Sequence, residues 1–211
     1  MSLTAVTVLK SGRVFTPEWV TRINRQIREH IKPSRIVCLT DMDVKDCEVI
    51  PLKHGWPGWF SKIELFRPGL FNTIDDFAVV YFDLDTLIVK LCLDVLWTDM
   101  GITMLSDFYT PTIPASGMMM WCPKKHHVSI YEDFAKNPQF PKSWRHGDGS
   151  IIGKYCGGRI QDIWPGLVGS YKAHHLQAGP KDYKIVCFHG TPKQCDLPPD
   201  NWARWEWEKT K

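Results

Sequence analysis

The sequence lacks a strong charge of either sign. Its 26 Lys and Arg residues and 23 Asp and Glu residues leave a net charge of +3, and the isoelectric point is about 8.4. The only short basic clusters are Arg22–Arg28 and Lys124–Lys125. Nucleic-acid-binding domains usually carry a continuous basic stripe and a pI above roughly 9. We therefore expect no nucleic acid among the partners, whereas a mild positive charge suits a small substrate that carries phosphate.

Long hydrophobic runs are also missing. No apolar run approaches the ~20 residues that a membrane-spanning helix needs. The amino terminus does not show the charged segment followed by an apolar one that is typical of a secretory signal. We expect neither a membrane span nor an export signal.

Paired cysteines are absent as well. The seven Cys residues are an odd number and include no Cys-x-x-Cys pair. Cys38, Cys92 and Cys187 lie within apolar runs, where a free thiol behaves as a small hydrophobic side chain. Because disulfides are rare in reducing compartments, this usage predicts a cytoplasmic protein with free thiols.

Repeats, low-complexity tracts and an evident linker are not found either. A chain of 211 residues can bury roughly 70% of the surface that its unfolded form exposes, so one core can stabilise it. We predict a single domain that spans residues 1–211.

The first forty residues predict an α/β fold. Thr4–Val8 is rich in β-branched residues and reads as a strand. Thr16 and Pro17 form a helix start, and Val20, Ile23, Ile27 and Ile31 then recur at helical spacing. A second strand follows at Ile36–Leu39. This strand–helix–strand order is typical of a parallel sheet flanked by helices.

Further elements follow from the same criteria. We predict short helices at Ser61–Phe66, Val128–Phe134 and Ser150–Tyr155, and strands at Phe77–Phe82, Gly117–Trp121 and Asp182–Phe188, with an additional apolar block at Leu87–Leu96.

The main chemical signal is Asp83-Leu84-Asp85, directly after the apolar run Phe77–Phe82. Side chains alternate along a strand, so spacing two predicts that both carboxylates point to the same side. Two adjacent carboxylates repel each other unless a positive charge lies between them. Mg²⁺ and Mn²⁺ prefer such oxygen ligands and bind beside substrate phosphates. The pattern therefore predicts a divalent-cation site at the end of a buried strand.

Two enzyme classes use an Asp-x-Asp pair at such a position. Phosphatases of the haloacid-dehalogenase type carry Thr or Val four residues after the first Asp, where this chain has Leu87. Their motif also follows the first strand, whereas two predicted strands precede Asp83 here. The phosphatase interpretation is therefore the weaker one.

Four more segments point to the other class. They are FSKIELF (Phe60–Phe66), ASGMMMW (Ala115–Trp121), HGDGSIIGKY (His146–Tyr155) and IVCFHGTPKQCDL (Ile185–Leu197). Together with the Asp-x-Asp pair, and in this order, they resemble the motifs of GT-A glycosyltransferases, in particular the glycogenin-like retaining enzymes. The resemblance implies a GT-A fold, which is a Rossmann-like α/β fold with a central, mixed but mostly parallel sheet between helices.

The resemblance also implies roles for individual residues. A catalytic role near the transferred sugar falls to Asp148, and His189 joins Asp83 and Asp85 as a ligand of Mn²⁺ or Mg²⁺. Leu9 and Lys10, at the end of the first strand, are expected to face the nucleotide base. The remaining expected contacts to the nucleotide-sugar donor are Lys62, Asp83, Leu84, Ser116, Gly117, Gly190 and Lys193.

The expected activity is sugar transfer from a nucleotide sugar, in this family a UDP-sugar, to an unknown acceptor hydroxyl with retention of configuration. Two positions on the sugar-contacting side differ from the family pattern, because Ala115 replaces Asn and Gly149 replaces Gln. A non-catalytic protein of the same fold that binds a nucleotide or a glycan therefore stays open as an alternative. Trp56, Trp59 and Trp164 are candidates for stacking against an acceptor sugar.

Overall fold

The computed structural model describes residues 2–71, 77–92, 101–123, 127–143 and 147–209. Seven strands form the larger sheet, in the order β3-β2-β1-β4-β7-β6-β8, and three form a smaller one, in the order β5-β10-β9. The strands are β1 (Leu3–Leu9), β2 (Arg35–Thr40), β3 (Glu48–Pro51), β4 (Ala78–Phe82), β5 (Thr86–Ile88), β6 (Ile102–Ser106), β7 (Pro114–Trp121), β8 (Cys156–Arg159), β9 (Val168–Ser170) and β10 (Ile185–Cys187).

Helices connect these strands. The α-helices are α1 (Pro17–His30), α2 (Val128–Lys136), α3 (Asp148–Ile152), α4 (Ile160–Ile163) and α5 (Trp202–Glu208), and 3₁₀ turns occupy Gly58–Phe66, Gly153–Tyr155 and Gln194–Asp196. Among the described residues, no helix has both the length and the apolar character needed to cross a membrane.

The larger sheet is mixed but mostly parallel, as the sequence predicted. Strands β3, β2, β1 and β4 are parallel neighbours, and β6 is parallel to β8. Only β7 runs antiparallel to both of its neighbours, β4 and β6. The carboxyl ends of β1, β2 and β4 therefore meet at one edge of the sheet, where open α/β sheets bind their ligands.

The sheet is buried on both faces, which explains the continuous apolar run before Asp83. Val80 and Phe82 of β4 pack in one core with α1 and the smaller sheet. Val79 and Tyr81, which point the other way, pack in a second core with the 3₁₀ turn Gly58–Phe66 and α2. A strand covered on both sides needs apolar residues at every position.

Several sequence predictions need adjustment. The helix predicted at Ser150–Tyr155 begins two residues earlier, at Asp148, and its second half is a 3₁₀ turn. Thr16 precedes α1 as predicted, but its side chain makes no capping hydrogen bond. The last strand is shorter than predicted, and the end of the block Leu87–Leu96, from residue 93 onward, lies outside the described residues. The division into a single domain stays a prediction.

Candidate active site

The Asp83-Leu84-Asp85 segment is a turn between the two sheets. Strand β4 ends at Phe82, so the two carboxylates do not share a side through strand alternation, and that part of the prediction is wrong. The Thr86 N–H donates to the Asp83 carbonyl over 3.1 Å and so closes the turn. The Asp83 N–H donates to the Gly117 carbonyl (2.9 Å), and the Phe188 N–H donates to the Asp85 carbonyl (3.1 Å). The turn is thus fixed to β7 on one side and to the end of β10 on the other.

One cavity collects most of the predicted residues. It has a volume of about 280 Å³ and lies beside the carboxyl end of β4. Its lining includes seven residues predicted from the sequence: Lys62, Asp83, Asp85, Ser116, Gly117, Asp148 and His189. The turn therefore brings both carboxylates to one site even though they do not lie on a strand.

Lys62 links two of these carboxylates. Its buried ammonium group lies 2.7 Å from Asp83 Oδ1 and 3.4 Å from Asp148 Oδ2. Burial alone would lower the pKa of Lys62, but the charges of Asp148 and Asp83 outweigh burial and raise the pKa above its ordinary value. Lys62 is thus a permanent cation between the two acids, and not the surface lysine that its short helix would indicate by itself.

Two hydroxyl groups complete this network. The Ser116 hydroxyl donates to Asp148 Oδ2 over 2.5 Å, and the Tyr81 hydroxyl donates to Asp83 Oδ1. Asp148 is the first residue of α3, where Gly147 occupies the N-cap position without a side-chain bond. Asp148 is therefore not the N-cap residue of α3, and its carboxylate binds Lys62 and Ser116.

Asp85 forms a second ion pair, with Lys193. The Lys193 ammonium group also donates to the Phe188 carbonyl over 3.0 Å. Burial, and then the charge of Asp83, raise the pKa of Asp85 to about 6 although Lys193 acts in the opposite direction. Burial is thus the main reason that the ionised form of Asp85 is disfavoured, and the nearby lysines offset it only in part.

His189 lies after β10 on the same cavity. Its Nε2 is 2.7 Å from the Ser170 hydroxyl oxygen, and its ring is nearly parallel to that of Phe108, with 5.7 Å between centroids. Burial, and then the nearby charge of Lys172, lower the pKa of His189. The imidazole is therefore neutral at pH 7, the state in which histidine binds a metal ion.

The donor chemistry at this point fits a hard divalent cation. Asp83 and Asp85 offer carboxylate oxygens, and His189 offers a neutral nitrogen on the same cavity. With Asp148, three carboxylates contact only the two lysines Lys62 and Lys193 in these ion pairs. Within the described ranges, however, no three His, Cys, Asp or Glu side chains are already gathered closely enough to hold a metal ion. Lysine ammonium groups contact the two carboxylates instead.

Gly190 adopts a backbone conformation that favours glycine. Its φ is +66°, in the left-handed region that side chains with a Cβ rarely adopt. A Cβ at this position would lie 3.2 Å from the Lys172 ammonium nitrogen, which itself donates to the Thr191 carbonyl over 3.0 Å. Gly190 thus keeps the backbone after His189 open, and its contact with a nucleotide-sugar donor stays a prediction.

Other predicted residues lie outside the cavity lining. The side chains of Leu9 and Leu84 are buried in the core beside α1. Only their backbone atoms are therefore available to contact a nucleotide-sugar donor. Lys10 forms an ion pair with Asp41 at the end of β2. Burial would raise the pKa of Asp41, but hydrogen bonds from Lys10 and Ser11 lower it to about 2.

The three tryptophan residues considered for stacking on an acceptor sugar differ in their position relative to the cavity. Trp59 lines the cavity, whereas Trp56 is only 6% exposed and stacks on His54 with 4.2 Å between ring centroids. Trp164 packs at the margin of the core beside α1. Only Trp59 is therefore placed to meet a ligand of this cavity.

Sequence reasoning missed several residues of the site. Ser170 reaches His189 because β9 runs parallel to β10 with Ser170 opposite Cys187, a pairing between three-residue strands that leaves little trace in a sequence. Lys172 follows β9 and was not distinguished from other lysines. Tyr81 lies within the apolar run of β4, and its contact with Asp83 depends on the turn that begins after Phe82, so the sequence carried no separate signal for it.

Comparison with known proteins identifies the fold. No protein-family model and no curated protein matches the sequence. Among solved structures, the glycosyltransferase GlyE of Streptococcus pneumoniae TIGR4 superposes with a TM-score of 0.65 at 12% identity, over 98% of this chain and 59% of that one. This chain thus spans somewhat more than half the length of GlyE. The chain has the GT-A glycosyltransferase fold, as its motifs predicted.

Two further structures support this assignment. The galactosyltransferase LgtC, solved in complex with donor and acceptor sugar analogs, superposes with a TM-score of 0.61 at 12% identity, over 96% of this chain and 93% of that one. The bifunctional glycosyltransferase WbbM gives a TM-score of 0.60 at 12% identity, over 92% and 46%. The match to LgtC extends over nearly the whole of both chains.

Proposed function

We propose that this chain is a metal-dependent glycosyltransferase that uses a nucleotide sugar, and in particular a UDP-sugar, as its donor. The observation that carries the proposal is the convergence of Asp83, Asp85, Lys193 and His189 at the carboxyl edge of a GT-A sheet. The carboxylates of Asp83 and Asp85 favour a bound cation there, and the ammonium group of Lys193 favours a bound phosphate. A nucleoside diphosphate bound through a divalent cation satisfies both needs.

Asp83, Asp85 and His189 would hold Mn²⁺ or Mg²⁺. When bound, this cation supplies neutralisation of the charge that develops on the diphosphate as the glycosidic bond breaks. The raised pKa of Asp85 supports this assignment, because a cation between two carboxylates stabilises the ionised form that burial disfavours.

The basic residues of this chain would hold the diphosphate. Lys193 contacts both Asp85 and the Phe188 carbonyl just before His189, and Gly190 lets the backbone of the turn after β10 approach the phosphate oxygens. Positive charges fixed in this way stabilise the departing diphosphate without further reorganisation. The backbones of Leu9, Lys10 and Leu84 would bind the nucleoside end of the donor.

The sugar side of the donor would face Asp148, Ser116, Gly117 and Lys62. Lys62 and Ser116 hold the Asp148 carboxylate in one orientation, so that it can stabilise positive charge on the anomeric carbon or orient a sugar hydroxyl. Trp59, on the same cavity, is a candidate for the acceptor side. Retention of configuration is proposed from the glycogenin-like motifs.

A non-catalytic nucleotide- or glycan-binding protein is the second candidate. It is favoured by Gly149, which gives the cavity no side chain where the related motif has Gln. The phosphatase alternative has lost its support, because the acids follow the fourth strand of the chain in a GT-A sheet.

A thermal-shift assay with UDP and Mn²⁺ tests the proposal. A ligand at one hundred times its Kd stabilises the folded state by about 2.7 kcal/mol, which raises the Tm of a domain of this size by roughly 5–10 °C. Asp83→Asn should abolish the shift, and Asp133→Asn, on the exposed face of α2, should preserve it.

Incubation with a panel of UDP-sugars then separates the two candidates. Release of UDP, by hydrolysis or by transfer to added glycans, indicates an enzyme, whereas binding without any turnover favours the non-catalytic protein. If no nucleoside diphosphate raises the Tm in the presence of Mn²⁺, the proposal is wrong.

A further inference from the structure

Two lysines contact the turn that follows β10. Lys193 donates to the Phe188 carbonyl over 3.0 Å, and Lys172 donates to the Thr191 carbonyl over 3.0 Å. His189 and Gly190 lie between these two carbonyls in the chain. Both ammonium groups therefore belong to the turn to which the diphosphate role is assigned above, although only Lys193 lies within a recognisable motif.

The charges of the two lysines are balanced differently. Lys193 is paired with Asp85, and Lys62 is paired with Asp83 and Asp148. In the described part of the chain, no carboxylate lies within ion-pair distance of Lys172. Burial, and then repulsion from Lys193, lower the pKa of Lys172, while the charge of Asp85 compensates only in part. Among the described residues, Lys172 is thus an ammonium group near another cation without a counter-ion of its own.

The space in front of Lys172 is kept open by Gly190. A Cβ at position 190 would lie 3.2 Å from the Lys172 nitrogen, so any other residue there would crowd this ammonium group. The left-handed φ of Gly190 and the missing side chain together leave the cation accessible from the turn.

From this arrangement we infer that Lys172 is a second phosphate-binding cation of the site, which contacts the diphosphate of a nucleoside diphosphate alongside Lys193. The inference rests on the proposed function. An anion at this position would relieve the repulsion between the two ammonium groups and supply the counter-ion that Lys172 lacks. Two cations on one turn suit two phosphates, because each lysine acts as a separate point charge.

Calorimetric titration with UDP and with UMP, in the presence of Mn²⁺, tests this role. For Lys172→Met we expect the affinity for UDP to fall by roughly ten- to thirty-fold, the loss typical of a charge-assisted hydrogen bond. The affinity for UMP should change by less than about three-fold, because Lys193 can still serve a single phosphate. Lys172→Arg, which keeps the charge, should recover most of the affinity for UDP.

Lys90→Met is the matched control. Lys90 also donates to a backbone carbonyl, that of Lys181 (2.6 Å), but it follows β5 at the end of β10 remote from His189. This variant should bind UDP as the wild type does.

Three outcomes would overturn the inference. They are an unchanged UDP affinity in Lys172→Met, an equal loss for UDP and UMP, and a UDP affinity in Lys172→Arg that is as weak as in Lys172→Met. Failure of the proposed function gives a different result, in which the wild type binds no nucleoside diphosphate. A titration with inorganic pyrophosphate then tests Lys172 separately. If the wild type binds pyrophosphate and Lys172→Met does not, the anion site is upheld. If the wild type does not bind pyrophosphate, the anion site is rejected.

Discussion

Replacement of Lys62 by methionine is expected to destabilise the protein strongly. Lys62 is nearly isosteric with methionine along its stem, so the change removes mainly the ammonium group. The side chain is 11% exposed, and the nitrogen lies 2.7 Å from Asp83 and 3.4 Å from Asp148. Without it, two partly buried acids would face each other with only the hydroxyl groups of Tyr81 and Ser116 as partners.

The magnitude follows from these distances. With an effective dielectric constant of about 20, the two ion pairs contribute about 6 and about 5 kcal/mol of attraction. Removal of the ammonium group from water offsets several kcal/mol of this gain. Loss of one partner from a buried ion pair typically costs about 3–5 kcal/mol, because the remaining charges are uncompensated. We expect Lys62→Met to lower the free energy of unfolding by an amount in that range.

The pH dependence of this effect has a definite sign. The pKa of Lys62 is raised in the folded state, so its contribution is fully present below the ordinary lysine pKa of about 10.4 and is lost as the pH rises beyond that value. The difference between wild type and Lys62→Met should therefore stay constant from about pH 6 to pH 9.

Urea denaturation at pH 7 measures the effect. Lys136→Met, which breaks an ion pair with Asp133 whose side chains are 74% and 60% exposed, should leave the denaturation midpoint unchanged. The double variant Lys62→Met with Asp148→Asn should recover part of the loss, because one uncompensated charge is removed. A cost below about 1 kcal/mol, or a double variant less stable than Lys62→Met, would refute the reasoning.

Three further predictions concern the cation and the turn after β10. Because the pKa of Asp85 is raised to about 6, the Asp85 carboxylate is protonated below that pH, and the Mn²⁺ affinity should fall about ten-fold per pH unit there. A constant Mn²⁺ affinity between pH 7 and pH 5 in a calorimetric titration would contradict this. Gly190→Ala should lower the free energy of unfolding by about 1–2 kcal/mol in urea denaturation, because its φ of +66° disfavours a Cβ; an unchanged midpoint would argue against a left-handed turn. Ser170→Ala removes the hydroxyl 2.7 Å from His189 and should weaken Mn²⁺ binding about ten-fold or more with little change in Tm. If Ser170→Ala binds Mn²⁺ as tightly as the wild type, His189 is excluded as an oriented ligand.

The sequence predicts well, for a physical reason, that Asp83 and Asp85 belong to the site. A strand buried on both faces must be apolar at every position, and the run that ends at Phe82 leaves Asp83 at its carboxyl end. The sequence does not reveal that Asp83 and Asp85 lie on a turn, because alternation along a strand and a tight turn both allow spacing two. Here the right conclusion about a shared site followed from an incorrect local geometry.

The remaining part of the site depends on contacts between distant segments. Lys62 looks like a surface lysine in its own segment, and contacts with Asp83 after β4 and Asp148 of α3 make it a buried cation. Ser170 and Lys172 reach His189 and Gly190 through the short strand β9, whose pairing with β10 is not encoded in a periodic pattern. Ser170 and Lys172 are therefore found by tertiary structure alone, whereas Lys62 was also indicated by its motif.

The turn at Asp83 has a mechanical consequence, because it joins the two sheets. Its first amide is bonded to β7 in the larger sheet, and its last carbonyl is bonded to the segment that follows β10 in the smaller one. Any displacement of one sheet against the other must therefore change the separation of the Asp83 and Asp85 side chains. Substitutions outside the cavity lining, such as a volume change at Val186 in the core of the smaller sheet, can then alter cation affinity without touching a ligand.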